Sequence, residues 1–343
     1  MTVEKPGIGQ WAILFARARE LAGLPHWQRF AAERPVILHL PGRRDVVYAL
    51  FREEGASRCI DFCLGDEALL DYEALRGAAP AEAGELRLRQ RFLSIRLGEG
   101  PDLTGEDLEL LLRMAPAFPG EERTIWFRSF EPGFAPSPLS RREVALLIDL
   151  TEQLALALRD FAAGAVSPDP ALSETLARTW EEGRGWRSEA ALLRPLRRKP
   201  APLRCTDELL PARTLRRPIV DARLELDGFY LPRLVEDEAW SKPYYPRVLL
   251  LADSGSEQIA GYETLTPADS LPDKLAALIE AFLESYGRPL ILYLSDPALC
   301  AILGPYLDEL SLPWRQVAFL PAVSRFKLTR GIAALSGEGE EQP

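Results

Sequence analysis

The chain has 343 residues, 47% of them hydrophobic and 27% charged, with a formal net charge of −10. That composition excludes a wholly disordered chain, and the length suggests two domains, each able to bury a core. The negative balance argues against a protein that grips nucleic acid through its overall field, and four cysteines make no disulfide scaffold at this length.

The first ten residues are polar and hold no apolar signal core. No run reaches the roughly 18 apolar residues that a membrane span needs, so a cytoplasmic protein without a membrane partner is expected.

Trp11, Leu14, Phe15, Ala18 and Leu21 fall on one face of a first helix that Gly23 ends. Trp27 and Phe30 suggest a short second helix. Residues 36–40 and 46–51 read as strands around a turn at Pro41-Gly42, and residues 58–64 as a third strand. Gly65-Asp66 opens a helix carrying Leu69, Leu70, Tyr72 and Leu75, followed by a loop of Ala, Pro and Gly. Residues 86–97 read as one long strand, 104–114 as a helix capped by Thr104, and 124–130 as a further strand. Ser140 starts a long helix through Val144, Leu147, Leu154 and Leu158. These elements define an α+β domain over residues 1–163.

Residues 164–217 read as a partly ordered basic connector. It holds the one basic cluster, Arg194 to Lys199, among several prolines, and Trp180 and Trp186 suggest that some of it packs on a domain.

The second domain is expected over residues 218–335. Residues 219–226 read as a strand with a turn at Asp227-Gly228. An insertion with Trp240, Tyr244 and Tyr245 follows, then strands at 248–252 and 258–265. Ser270 caps a helix whose Leu275, Leu278, Ile279, Phe282 and Leu283 share one side, and Gly287 stops it. Residues 290–294 are apolar without alternation, as in a strand covered on both faces. Asp296-Pro297 restarts a helix, which Gly304-Pro305 is expected to kink or end. Residues 314–320 read as a last strand, and residues 336–343 as a frayed tail. Helices alternating with buried strands predict a layered α/β domain.

Two resemblances add to this reading. Ile125-Trp126-Phe127-Arg128-Ser129-Phe130-Glu131-Pro132-Gly133-Phe134, with Glu143 and a long helix behind it, resembles the end of an N-terminal domain in uncharacterised bacterial proteins. In that family a second domain of unknown function follows, which residues 217–321 resemble. The match implies two domains and a bacterial source, and it implies no activity.

The order strand, strand, strand, helix, strand, helix, strand resembles the ribonuclease-H-like fold of integrases and transposases. Pro218-Ile219-Val220-Asp221 is similar to its first strand with an acidic residue. Leu250-Leu251-Ala252-Asp253-Ser254 and Ile259-Ala260-Gly261-Tyr262 are similar to its second and third strands, and Arg288 to Asp296 to its fourth with an acidic residue.

The resemblance implies a site where carboxylates from neighbouring strand ends hold two metal ions. Asp221, Asp253 and Asp296 are the candidate catalytic residues, with Asp221 and Asp296 as candidate metal ligands. A third acid should come from the helix after the last strand, yet residues 322–335 hold none. From Ile219 onward, 19 acidic residues stand against 10 basic ones, a balance of −9 that opposes a phosphate-binding surface.

Each acid also has an architectural reading: Asp296 as a helix cap, Asp253 as a turn residue, Asp221 as an outward strand position. Cys59 and Cys63 lie on one strand face with Asp61 between them. With His26 and His39 they could form zinc ligands, but their spacing fits buried packing better. The expected function is a non-catalytic binding protein with a protein partner and no cofactor. Its candidate interaction residues are Trp240, Tyr244, Tyr245, Arg197, Arg198 and Lys199. The alternative is a nuclease dependent on Mg²⁺ or Mn²⁺ that draws its third carboxylate from Glu309 or the first domain.

Overall fold

The computed structural model describes residues 4–24, 34–54, 57–98, 103–115, 125–198 and 200–330. The expected helix at Trp27 and Phe30, His26, Lys199 and the tail fall outside these residues.

Two mixed sheets with helices packed against them make the chain an α/β protein. The first sheet has the order β5-β4-β3-β2-β1-β6-β7. Its strands are β1 (Val36–His39), β2 (Val47–Glu54), β3 (Ser57–Leu64), β4 (Phe92–Leu97), β5 (Ile125–Phe130), β6 (Glu174–Glu181) and β7 (Gly185–Leu192). All neighbours pair antiparallel except β1 with β6.

Strand alternation sorts the two faces of this sheet. Ile60 and Phe62 meet α1 (Ile8–Gly23) and α5 (Arg141–Ala162), where Leu14, Phe15, Leu147, Leu150 and Leu154 complete the main core. Cys63, with Tyr48, Leu50 and Phe92, meets Leu69 and Tyr72 of α2 (Asp66–Gly77) on the other face. Capping boxes start α4 (Gly105–Met114) at Thr104 and α5 at Ser140, so two of the orphan N–H groups at each helix start are satisfied locally.

Two expectations for this half need correction. The strand expected over residues 86–97 is a helix, α3 (Pro80–Leu88), then a turn, then β4. Proline at the first helical position starts α3, and the Gln90 side chain donates to the carbonyls of Asp71 and Leu86 (3.0 and 2.8 Å), fixing the turn. The connector expected at 164–217 begins by adding β6 and β7 to the sheet. Trp180 and Trp186 face each other across that hairpin with ring centroids 5.6 Å apart. This end of the sheet is half exposed, so it lacks the apolar run that marks a buried strand.

The second sheet has the order β10-β9-β8-β11-β12. Its strands are β8 (Ile219–Tyr230), β9 (Arg247–Asp253), β10 (Ile259–Leu265), β11 (Arg288–Leu294) and β12 (Trp314–Gln316). β8, β9 and β10 pair antiparallel in turn, and β8, β11 and β12 run parallel. A short helix α6 (Leu210–Leu215) leads into β8. On one face, α7 (Leu271–Ser285) and α8 (Pro297–Glu309) bury Leu278, Phe282, Leu303 and Tyr306 against Leu224, Leu226, Leu292 and Leu294. On the other, α9 (Pro321–Thr329) packs Val323 over Phe229, Val248 and Leu250.

Glycines account for two further differences. Asp227-Gly228 lies inside β8 and does not turn the chain. A Cβ on Gly228 would come within 3.0 Å of the Leu249 side chain, so the glycine serves a close cross-strand approach. α8 continues through Gly304-Pro305, and Gly304 makes room for the Trp314 ring, which a Cβ would meet at 2.6 Å. The expected strand at 314–320 is only three residues long, and the chain then enters α9.

Candidate functional site

The three candidate acids fall at two ends of the second sheet. Asp221 lies near the start of β8, with 80% of its side chain exposed and Arg223 at 3.4 Å. Asp253 ends β9 opposite Leu224, at the same end of the sheet. Its carboxylate accepts from the N–H of Arg223 (2.9 Å), the N–H of Ser256 (3.0 Å) and the hydroxyl of Ser256 (2.7 Å). Burial pulls its pKa up, but the Ser256 hydroxyl and then these backbone donors outweigh that and hold it below the ordinary value.

Asp296 lies at the opposite end, just past Leu294 of β11, which pairs with Leu226. From Asp221 to the level of Leu226 the strand advances roughly 16 Å, at about 3.3 Å per residue. The structure therefore brings Asp221 and Asp253 to one end of the sheet and leaves Asp296 at the other.

The carboxyl ends of β8 and β11 gather a different set of charges. Glu225 and Asp227 project from β8 toward α9. Glu225 is buried and accepts from the Val323 N–H at 3.1 Å, in the first turn of α9. Burial raises its pKa, and the donors from Val323 and Ala322 only partly offset that. Asp227 is paired with Lys327 of α9 at 2.6 Å, and the Lys327 ammonium lies 4.4 Å from the centre of the Phe229 ring.

Asp296 caps α8 through the Ala298 N–H (2.8 Å) and accepts from Arg89, which follows α3 of the first domain, at 3.3 Å. Arg89 also pairs with Glu85 at 2.7 Å. Burial works against its charge, but Glu85, and then Asp296 and Asp71, outweigh this and hold the guanidinium protonated. Sequence reasoning missed Glu225, Asp227, Lys327 and Arg89. The available signal was alternation, since Asp221, Arg223, Glu225 and Asp227 occupy every second position of β8.

The aromatic insertion meets the first domain. The Phe134 ring lies 5.5 Å from Trp240 and 6.5 Å from Tyr244, and Tyr244 is buried. The Ala135 N–H donates to the Pro243 carbonyl (3.0 Å), and the Tyr245 N–H to the Gly133 carbonyl (2.6 Å). Arg198 pairs with Glu67 (3.3 Å) and with Asp71 on α2, while Arg197 is exposed. Glu309 is held by Arg204 (2.7 Å) and the Cys205 N–H (2.8 Å). The Cys205 N–H first, and then Arg204, depress its pKa.

Cys59 and Cys63 are both buried beside Asp61, and burial pushes both thiols up. Asp61 accepts from Ser94 (2.6 Å), Tyr72 (2.8 Å) and Arg52 (3.1 Å), so it holds the sheet face together. His39 is exposed at the end of β1. Among the described residues no group of three or more His, Cys, Asp or Glu is arranged to hold a metal ion.

Residues 11–178 match a family described as a domain of unknown function (DUF7309), and residues 212–329 match a second domain of unknown function (DUF6930). The two matches follow one another along the chain. No curated protein matches it significantly.

Proposed function

We propose that this is a cytoplasmic bacterial binding protein without catalytic activity, whose second domain is a ribonuclease-H-like fold with its acidic site lost and whose partner is another protein. Two features support the fold reading. The strands have the order third, second, first, fourth, fifth, and the fourth and fifth run parallel to the first. A bacterial setting follows from the resemblance of the 125–134 segment. Among the described residues no helix is long and apolar enough to cross a membrane, which agrees with the cytoplasmic reading.

The observation that carries the loss of catalysis is the pairing at the carboxyl ends of β8 and β11. A two-metal site needs several free carboxylate oxygens directed at one point. Here Asp227 is neutralised by Lys327 and Asp296 by Arg89. Lys327 stands on the helix that should supply an acid. These residues do not fit a pair of divalent ions.

The test is to incubate the purified protein with Mg²⁺ or Mn²⁺ and labelled single- and double-stranded nucleic acid. No metal-dependent cleavage is expected. Cleavage that Asp221→Asn or Asp227→Asn abolishes would overturn the proposal in favour of a nuclease.

A further inference from the structure

We infer that the first domain is a hinged cover over the carboxyl end of the second sheet, closed by a clasp that opens without unfolding either core. Among the described residues each buried core cluster draws its residues from one domain only, and the apolar part of the join is the contact of Phe134 with Trp240 and the buried Tyr244. Their contact is otherwise a line of charges and single backbone bonds.

At one end of that line Arg89 reaches Asp296. At the other, the Lys242 ammonium lies 2.9 Å from Glu131 and 4.7 Å from the centre of the Phe134 ring. Between them the turn at Gly133 presses on Tyr230 and exchanges backbone bonds with residues 243 and 245. Gly133 has φ +78°, and a Cβ there would come 3.2 Å from the Tyr230 ring, so this approach requires glycine. Polar contacts of this kind within a chain are those across which domains move.

The connector supplies the pivot. Arg198 is tied to α2 of the first domain. Leu203 donates to the Ile302 carbonyl (2.8 Å) and Arg204 pairs with Glu309 (2.7 Å), both in the second domain. Pro200 and Pro202 lie between these anchors.

Arg89 and the Gly133 turn meet the carboxyl ends of β8 and β11, where the chain leaves β8 toward β9 on one side and β11 toward β12 on the other. In open α/β sheets such a switch point, at the carboxyl ends of the strands, is where ligands enter. The inference holds whether or not the chain cleaves anything, so it stands or falls separately from the function proposed above.

Hydrogen exchange on the full chain tests it. Glu131→Lys places two cations face to face. It should raise exchange about fivefold in peptides covering residues 131–137 and 240–246, while peptides from β3 and β9 stay protected. The charge swap Glu131→Lys with Lys242→Glu should return both peptides to the wild-type rate. About 0.5 M salt should loosen the same two peptides in the wild type. Unchanged exchange in Glu131→Lys, failure of the swap to restore protection, or loosening that spreads into both cores would each overturn the inference.

Discussion

Replacing Asp296 separates an architectural acid from a catalytic one. Its Oδ1 accepts from the Ala298 N–H and its Oδ2 from Arg89. Losing an Asp cap to alanine costs about 1 kcal/mol, within a range of about 0.5–2. The pair with Arg89 is partly exposed, with side chains 25% and 17% accessible, so it adds only about 0.2–1 kcal/mol after screening. Asp296→Ala should therefore destabilise by about 1–2 kcal/mol. Asp296→Ser keeps a cap acceptor and loses only the ion pair, so it should cost about 0.5 kcal/mol.

Urea unfolding of the full chain, followed by circular dichroism and tryptophan fluorescence, reads this directly. With a slope of about 2 kcal/mol per M, the alanine variant should shift the second domain's midpoint by about 0.5–1 M. An acid crowded among other carboxylates behaves in the opposite way, because its removal relieves like-charge repulsion. A more stable Asp296→Ala, or an Asp296→Ser that costs as much as the alanine, would refute the reasoning.

Two further substitutions have signed outcomes. Glu225 has a raised pKa when folded, so its contribution is fully present below the unfolded value near 4.5 and is lost as the pH rises through the folded value. Glu225→Gln should consequently stabilise the protein at neutral pH, with the gain vanishing below about pH 4. A thermal-melt series across pH shows this, and a gain independent of pH would contradict it. Asp61→Leu removes the shared acceptor of Ser94, Tyr72 and Arg52 at a fully buried site and should cost about 3–5 kcal/mol. Calorimetry should register a fall on the order of 10 °C in the first domain's transition, and a loss below about 1 kcal/mol would contradict the assigned role.

The sequence is most readable where the physics is local. Ser270, Thr104 and Ser140 cap helices as their spacing predicts, because the donor and the acceptor lie within one turn. It is misleading where a residue answers to a distant one. Gly228 and Gly304 look like breaks, yet one makes room for Leu249 and the other for the Trp314 ring. The pattern of residues 86–97 alternates well enough to suggest a strand, and only Pro80 and the Gln90 bonds show that its opening residues are helical. Among the candidate acids, each could be placed on or beside a strand. Which end of the sheet each occupies depends on strand direction, and nothing local encodes that β8 and β11 run parallel while β9 runs back.

The charges on the α9 side of β8 carry this reasoning to the function. Asp221, Arg223, Glu225 and Asp227 follow one another on a single face, and every acid in the row meets its own counterpart. Asp221 has Arg223 beside it, Glu225 has the N–H groups at the start of α9, and Asp227 has Lys327. A divalent ion would require several of these oxygens to abandon separate partners and converge on one point. Such convergence would leave an ammonium and a helix start without the anions that now satisfy them, at a cost that grows with burial. The pattern that fixes α9 onto the sheet is thus in direct competition with metal binding. That competition, more than the absence of any single acid, is the support for our proposal that the second domain binds without cutting.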